Sequence, residues 1–463
     1  MMSCSGTSGK LEFAVIDSVY QINGVKYNAD YCKMQIFENP LDDDSKIIDI
    51  PVIRIRTNSK NPGAPVFILN DGPGMSNFTQ VMPTWLVKNH DVVIIGYRGV
   101  DGSVNLNIPE LNQVALNSNF LSENNLTLAG KTLAKNFNKL EDSLEIDLNQ
   151  YNILNMAHDV ESARQAFQYE KISIYSVGFG ARIAQIFSDI SPEAIFRVMM
   201  ERPKGYGSLS LKPEDIESIL DFYDNSAKSL NGGKTYSQNI IDGLAALPAD
   251  YNGHIFDKDK ILFTAYTYMN SVLGPSAVHD AFLSAQRGDY ESLKFLDDNY
   301  SVMYPQFNLG DYIIKCATSE YEPKKNYIND YSYNSKYSFG SPLGKFIYGT
   351  LQKSGFQPVV LDANIVNPDS LKGECLIVTV NLDINNPLDY GEFVVRNSYQ
   401  NVNSFILSDY NLKVFHSFRI AEYSKLIQNF MYVGNYKEYF PATHTMNLVP
   451  EKTFKQLALE RVQ

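Results

Sequence analysis

The sequence lacks two features that each mark a large class of proteins. No apolar run approaches the roughly 20 residues that a membrane-spanning helix needs. Basic tracts are also missing, because 40 lysines and arginines are scattered among 52 aspartates and glutamates, for a formal net charge of −12. Nucleic acid is a poor partner for such a surface. We therefore expect neither a transmembrane helix nor a nucleic-acid partner.

Cysteine is scarce, at four residues, and no two have the C-x-x-C or Cys/His spacing of a zinc site. We expect no metal site, and nothing in the sequence implies a cofactor. Cys4 lies in the small-residue stretch Met1–Gly9, which is similar to the end of a bacterial lipoprotein signal followed by its acylated cysteine. This similarity predicts a lipid anchor at Cys4 and a secreted or cell-envelope protein. An ordinary disordered amino terminus on a cytoplasmic protein is the alternative.

The composition is that of a folded protein, with 44% hydrophobic and 20% charged residues. A chain of 463 residues is too long for one ordinary core, so either two domains or one large domain with an insertion is expected. We divide it into a flexible tether over 1–12, a core formed by 13–202 and 373–463, and an inserted cap over 203–372.

Strand patterns dominate the predicted core. Residues 24–37 and 46–56 alternate β-formers with polar residues around a turn, which predicts an amino-terminal β-hairpin. Short apolar runs that end in loops follow, at 65–69, 91–99, 172–177, 195–201 and 375–380. A helix is predicted over 153–168. Strands of this kind alternating with helices predict an α/β fold with a doubly wound, mainly parallel sheet.

The alternation of apolar strands with helices stops between residues 203 and 372. Helical patterns appear at 213–223 and 276–295, and a section rich in tyrosine, asparagine and serine spans 321–341. We interpret this interval as a mainly helical cap over the carboxyl edge of the sheet, where α/β folds place their sites.

Three motifs in the core occur in a recognisable order. Asn70–Gly74 reads N-D-G-P-G, Gly96–Ser103 reads G-Y-R-G-V-D-G-S, and the helix before the third run carries Asp159 and Arg164. The chain resembles α/β-hydrolases of the proline iminopeptidase and tripeptidyl aminopeptidase branch, where the corresponding motifs are H-G-G-P-G, D-x-R-G-x-G-x-S and D-x-x-x-x-R. The likeness covers most of residues 24–430 apart from the cap.

The resemblance also implies where a catalytic site would lie. Ser176-Val177-Gly178-Phe179-Gly180 occupies the place of the G-x-S-x-G elbow, so Gly178 stands where the nucleophilic serine is expected. The oxyanion loop corresponds to Asp71 and Gly72 together with Phe179, the residue after the nucleophile position. The triad acid corresponds to Asp383.

The triad histidine corresponds to His416, which follows a strand predicted at 402–407, and His444 is the rival assignment. Ser176 is interpreted as a small structural residue of the elbow and not as a substitute nucleophile.

Glycine has no side chain, so no acyl-enzyme can form at position 178. The first hypothesis is therefore a catalytically inactive pseudoenzyme that serves as a binding or scaffold subunit, lipid-anchored at the envelope in an assembly with other proteins. The alternative is a serine aminopeptidase or esterase of this family whose serine is replaced at position 178. A small-molecule receptor is a third reading that the sequence does not rank against a protein-binding role.

Overall fold

The computed structural model describes residues 13–22, 25–79, 83–271, 274–304, 307–388, 394–408 and 412–436. Nine strands in these residues form a single sheet. Their bounds are β1 Phe13–Ile22, β2 Val25–Phe37, β3 Ile47–Ile55, β4 Val66–Leu69, β5 Val92–Ile95, β6 Ile172–Val177, β7 Ile195–Glu201, β8 Leu371–Val380 and β9 Tyr399–Leu407.

The order across the sheet is β1-β2-β3-β5-β4-β6-β7-β8-β9. The β1–β2, β2–β3 and β3–β5 pairs are antiparallel. Every pairing from β5 through β4 to β9 is parallel. The carboxyl ends of β4, β6, β7 and β8 therefore lie side by side at one edge, and the loops that follow them meet there.

The apolar runs form strands because both faces of the sheet are covered. In β4, Phe67 and Leu69 pack into the apolar cluster on one face, whereas Val66 and Ile68 pack into the cluster on the other. Side chains alternate between the faces of a strand, so a short strand buried on both sides, such as β4, is apolar on both faces.

Helices cover both faces and fill the interval between β7 and β8. Their bounds are α1 Pro109–Ala115, α2 Glu123–Leu144, α3 Ile153–Ala166, α4 Gly180–Ile190, α5 Pro213–Asp221, α6 Asp224–Leu230, α7 Tyr236–Ala245, α8 Lys258–Met269, α9 Gly274–Gln286, α10 Glu291–Asp298, α11 Tyr300–Met303, α12 Leu309–Glu320, α13 Tyr327–Asp330, α14 Pro342–Ser354, α15 Ala363–Val366, α16 Val394–Ser398 and α17 Leu412–Val433. Short 3₁₀ helices occur at Thr84–Lys88, Leu148–Gln150, Pro192–Ala194 and Ser208–Ser210.

The layers are those of a doubly wound α/β fold. Residues of α3 and α4 pack in the cluster on one face of the sheet, and residues of α17 pack in the cluster on the other. The predicted fold class and amino-terminal hairpin are confirmed. No helix in the described ranges combines the length and the apolar character needed to cross a membrane.

The helices between β7 and β8 belong to two apolar clusters. Those from α5 to α10 enclose a cluster of their own, which Leu382 and Ile384 join from the loop after β8. Helices α12 and α14 instead contribute to the main cluster of the sheet. The segment predicted as a cap thus packs partly on itself and partly on the core.

Two local predictions differ from the structure. The pattern at 276–295 gives two helices, α9 and α10, because Gly288 takes φ +86° between them, a left-handed conformation that ends helices. Strand β1 lies beyond the predicted hairpin and extends the sheet by one more antiparallel strand. The predicted tether over 1–12, with Cys4, lies outside the described residues.

Candidate functional site

Gly178 is the turn between β6 and α4. Its φ is +50°, in the left-handed region that glycine adopts at little cost. Its N–H donates to the carbonyl of Glu201 at 3.0 Å, which ties the turn to the end of β7. At Gly180, an added Cβ would lie 2.0 Å from the carbonyl oxygen of Leu69. The sharp strand-to-helix turn therefore depends on glycine at both positions.

The carboxylate of Asp71 lies against this turn. Asp71 follows β4, and its Oδ1 accepts hydrogen bonds from the backbone N–H of Gly72 at 2.8 Å and of Phe179 at 2.9 Å. The Phe179 N–H belongs to the residue after the elbow position, which in α/β-hydrolases donates to the oxyanion. A carboxylate oxygen of the chain itself occupies that donor.

Lysine and arginine from the end of β7 set the charge state of Asp71. Lys204 Nζ lies 3.3 Å from Asp71 Oδ1 and donates to the carbonyl of Gly72 at 2.9 Å. Burial alone would raise the pKa of the Asp71 carboxyl, but Lys204, Arg202 and the two N–H donors lower that pKa below its ordinary value. Asp71 is therefore an ion-paired, hydrogen-bonded anion at neutral pH.

The position of Asp71 leaves no space for a side chain at 178. An ideal Cβ on Gly178 would lie 2.2 Å from Asp71 Oδ1 and 2.4 Å from its Cγ. Carbon atoms do not approach oxygen this closely without a bond, so any side chain at 178 requires Asp71 to move. Gly178 and Asp71 are thus sterically coupled.

Asp383 lies in the loop after β8 and is fully buried. Its Oδ2 accepts from Arg202 Nη1 at 2.7 Å and from the side-chain amide of Asn386 at 2.9 Å, and its Oδ1 accepts from the N–H of Asn385 at 3.0 Å. Among the described side chains, these partners include no histidine. The group that pairs with the predicted triad acid is therefore the permanent cation Arg202.

Arg202 connects the acidic groups of the site. Burial opposes its charge, but Asp383, Glu201 and Asp71 together raise the pKa of its guanidinium above the ordinary value. Glu201 Oε1 lies 3.4 Å from Arg202 Nε. The other Glu201 oxygen accepts from the hydroxyls of Tyr175 and Tyr423. The result is a buried charged network in which each carboxylate has a cation or hydrogen-bond donors.

The structure brings together Asp71, Gly72, Gly178 and Phe179, and Arg202 bridges this group to Asp383. Sequence reasoning missed Arg202 and Lys204. Both directly follow the buried run of β7, and the carboxyl ends of neighbouring parallel strands meet at one edge. That position is the signal that could have found them.

The structure describes the Ser176 side chain but not the side chains of the two candidate triad histidines. His416 lies within α17 and not in a loop, and its side chain, like the whole of His444, is outside the described residues. The Ser176 hydroxyl is buried and donates to the carbonyl of Met199 at 3.1 Å, as a structural serine does.

The motif residues Asp159 and Arg164 do not pair with each other. Asp159 accepts from Arg98 Nε at 2.7 Å, in a buried ion pair, and Arg164 pairs with Glu161 on the same helix. Arg98 comes from the G-Y-R-G motif after β5, so this pair links two of the three motifs. Within the described ranges, no group of three or more histidine, cysteine, aspartate or glutamate side chains could hold a metal ion.

No protein-family model and no curated protein matches the chain. Solved structures do match it. A serine hydrolase from Cycloclasticus zankles is 12% identical, over 86% of this chain and 97% of that one, with a TM-score of 0.39. The 2-hydroxy-6-oxo-6-phenylhexa-2,4-dienoate hydrolase from a Rhodococcus species is 11% identical over 90% and 99%, also with a TM-score of 0.39. A thermophilic esterase from Thermogutta terrifontis is 11% identical over 86% and 97%, with a TM-score of 0.36.

The mainly parallel sheet, the helices on both faces and the glycine turn at the carboxyl edge decide the architecture. The chain has an α/β-hydrolase-like fold. The activities of the three neighbours belong to those proteins, because a shared fold does not carry a shared function.

The chemistry that this α/β-hydrolase-like site can perform follows from its contacts. Gly178 has no side chain, so residue 178 itself supplies no nucleophile at the elbow. Stabilisation of an oxyanion needs free donors, and Asp71 takes the N–H of Phe179. The charged groups around Gly178 are thus already paired with groups of the chain itself.

Proposed function

We propose that the protein is a catalytically inactive α/β-hydrolase-like protein that acts by binding, as a scaffold or binding subunit. The single observation that supports this proposal is the Asp71 carboxylate. It accepts from the Phe179 N–H and lies where the first side-chain atom of residue 178 would be. One aspartate thus opposes any side chain at position 178 and occupies an oxyanion donor, which supports the proposal.

The contacts of Asp383 support the same proposal. A triad acid orients a histidine that exchanges protons, and Arg202 cannot take that role because a guanidinium stays protonated. The buried ion pair gives the loop after β8 a fixed position without providing a general base. The order of motifs favours a relationship to the proline iminopeptidase branch, and the lipid anchor at Cys4 and an envelope assembly remain part of the proposal.

A fluorophosphonate probe tests inactivity directly, since it reacts with activated serines. We expect no labelling of the native protein and none of the Gly178→Ser variant, because Asp71 blocks the new side chain. The double variant Gly178→Ser/Asp71→Gly removes that block while keeping Arg202 on Asp383, and we expect it to stay unlabelled or to react far more slowly than an active serine hydrolase measured in parallel.

Turnover is the outcome that would refute inactivity. Hydrolysis of p-nitrophenyl esters and aminoacyl anilides by the native protein should stay below the ~10³-fold enhancement over the uncatalysed rate that hydrolase sites can retain without a nucleophile. Saturable turnover that is lost in both Asp383→Asn and His416→Ala would contradict the proposal and favour the aminopeptidase or esterase alternative.

The binding role has its own test. Pull-down of the native protein from its source should recover a stoichiometric protein partner, and the same partner should be recovered with Asp71→Asn, which keeps the shape of the site. Recovery of the protein alone, under conditions that preserve known assemblies of that source, would contradict a scaffold role.

A further inference from the structure

An open pocket of about 470 Å³ lies at the edge of the sheet opposite to Gly178. Arg56 follows the end of β3, and Lys26 lies near the start of β2. Because Ile55 pairs with Val92, these residues sit where the parallel strand β5 begins. The 3₁₀ helix that ends at Lys88 precedes β5 and lines one side of the same pocket.

The pocket is positively charged, whereas the chain as a whole is negatively charged. Lys26, Arg56 and Lys88 line it, and no acidic side chain does, although the whole chain has a formal net charge of −12. Neither lysine has an ion-pair partner among the described residues, and both are exposed. Unpaired cations around a concave surface concentrate positive potential there.

Arg56 is held in place by acids outside the lining. It pairs with Asp17 on β1 and lies 3.6 Å from Asp30 on β2. The Asp17 side chain is 80% exposed, so this pair is solvated and weak. An incoming anion can replace Asp17 beside Arg56, because the displaced Asp17 carboxylate is solvated and does not become a buried, unpaired charge.

We propose that this pocket binds a ligand that carries a phosphate group. Arginine and lysine are the side chains that bind phosphate, arginine through its fork of N–H donors and lysine as a point charge. Polar groups beside the cations match the several acceptor oxygens of a phosphate: Asn28, Asn58, Ser59 and Thr84. The volume is within the range of small-molecule sites and exceeds what a bare ion needs.

Two sources could supply this chemistry, a soluble phosphate ester and the headgroup of an anionic phospholipid. The experiment separates them with three probes: inorganic pyrophosphate, glycerol 3-phosphate, and vesicles of phosphatidylglycerol against vesicles of phosphatidylcholine. Calorimetry follows the soluble probes and flotation follows the vesicles, at constant ionic strength set with sodium chloride. Binding of the soluble probes indicates a soluble ligand, and binding of phosphatidylglycerol vesicles alone indicates a lipid headgroup.

The variant Lys26→Gln/Lys88→Gln tests the site, and Lys131→Gln/Lys135→Gln is its control. The control removes the same charge from exposed positions on α2, away from the pocket. We expect the pocket variant to lose at least about tenfold in affinity, as removal of two charge-assisted contacts predicts, and the control to match the native protein.

A third variant distinguishes a binding pocket from a basic surface. Asp17→Asn removes the exposed partner of Arg56, leaves Asp30 beside it, and should tighten binding by about twofold to fivefold, the range that corresponds to a surface ion pair. The proposal is overturned if none of the probes binds, if both lysine double variants lose affinity equally, or if Asp17→Asn and the pocket variant bind as the native protein does. None of these outcomes bears on the proposed inactivity at Gly178, which is tested separately by probe labelling.

Discussion

A double-mutant cycle on Gly178 and Asp71 tests the central steric relationship of the site. The two residues are 107 positions apart in the sequence, yet a Cβ at 178 would overlap the carboxylate of Asp71. Gly178→Ser introduces that Cβ. Asp71→Gly removes the carboxylate and introduces the residue that the H-G-G-P-G motif, which this loop resembles, has at this place. The two changes together should relieve the clash that the first one creates.

The structure gives the magnitudes. A serine at φ +50° costs about 1 kcal/mol in backbone strain. Expelling Asp71 from the Phe179 N–H and from Lys204 costs about 2 kcal/mol more, the scale of charge-assisted hydrogen bonds. Asp71→Gly alone loses the same contacts and adds chain entropy, for about 2 to 3 kcal/mol. In the double variant the contacts of Asp71 are lost once and not twice.

We therefore expect the double variant to be about 2 kcal/mol less destabilised than the sum of the single variants. Urea unfolding followed by circular dichroism measures the free energy of unfolding of each protein. The dependence of that free energy on urea concentration is compared among all four proteins. The cycle Ser176→Ala/Asp71→Gly is the control, because Ser176 bonds to Met199 and not to Asp71. Additivity within about 0.5 kcal/mol for Gly178 and Asp71 would refute the coupling.

Three further predictions follow from single contacts. Asp71→Asn should lower the free energy of unfolding most at pH 7, and the difference from the native protein should shrink below about pH 4. A carboxyl whose pKa is lowered in the folded state stabilises the fold while the pH is above its ordinary pKa and loses this contribution as the pH falls through the folded-state pKa. A difference that grows on acidification would contradict the lowered pKa. Arg202→Met should cost about 3 to 5 kcal/mol in urea unfolding, since it leaves Asp383 buried without a cation, whereas Lys372→Met, which removes an exposed pair with Glu193, should cost about 1 kcal/mol or less; equal costs would count against the buried pair. Asn77→Ala should cost about 3 kcal/mol by thermal or urea unfolding, because the buried Asn77 amide donates to backbone carbonyls of both β4 and β5; a change below about 0.5 kcal/mol would show that those bonds are dispensable.

The sequence predicted the centre of the sheet well because the buried strands β4 and β5 are apolar at every position. Val66–Leu69 and Val92–Ile95 are such runs, and no exposed helix tolerates them. Strand β1 escaped prediction because it is an edge strand. Ile16 is 67% exposed and Val19 is 52% exposed, so burial does not impose a regular pattern on this strand.

The candidate site was only partly predictable. The elbow and the loop after β4 have short motifs with fixed geometry, so Gly178, Asp71 and Phe179 could be assigned from sequence. The pairing of Asp383 with Arg202 could not, because Arg202 belongs to no motif and its partner is 181 residues away. Long-range pairs of this kind depend on how the ends of β7 and β8 lie next to each other, which local patterns do not encode.

The overlap at the elbow also limits the mutational paths open to this chain. A serine at 178 introduced first meets the Asp71 carboxylate, and a glycine at 71 introduced first leaves Lys204 without its anion. Each first step removes about 2 to 3 kcal/mol from a total stability that for most domains is only about 5 to 15 kcal/mol. Selection for folding alone therefore acts against both single steps. An elbow of this kind would keep its glycine over long periods even if a nucleophile there were useful, and proteins of this fold with serine at this position should have a small residue in place of Asp71.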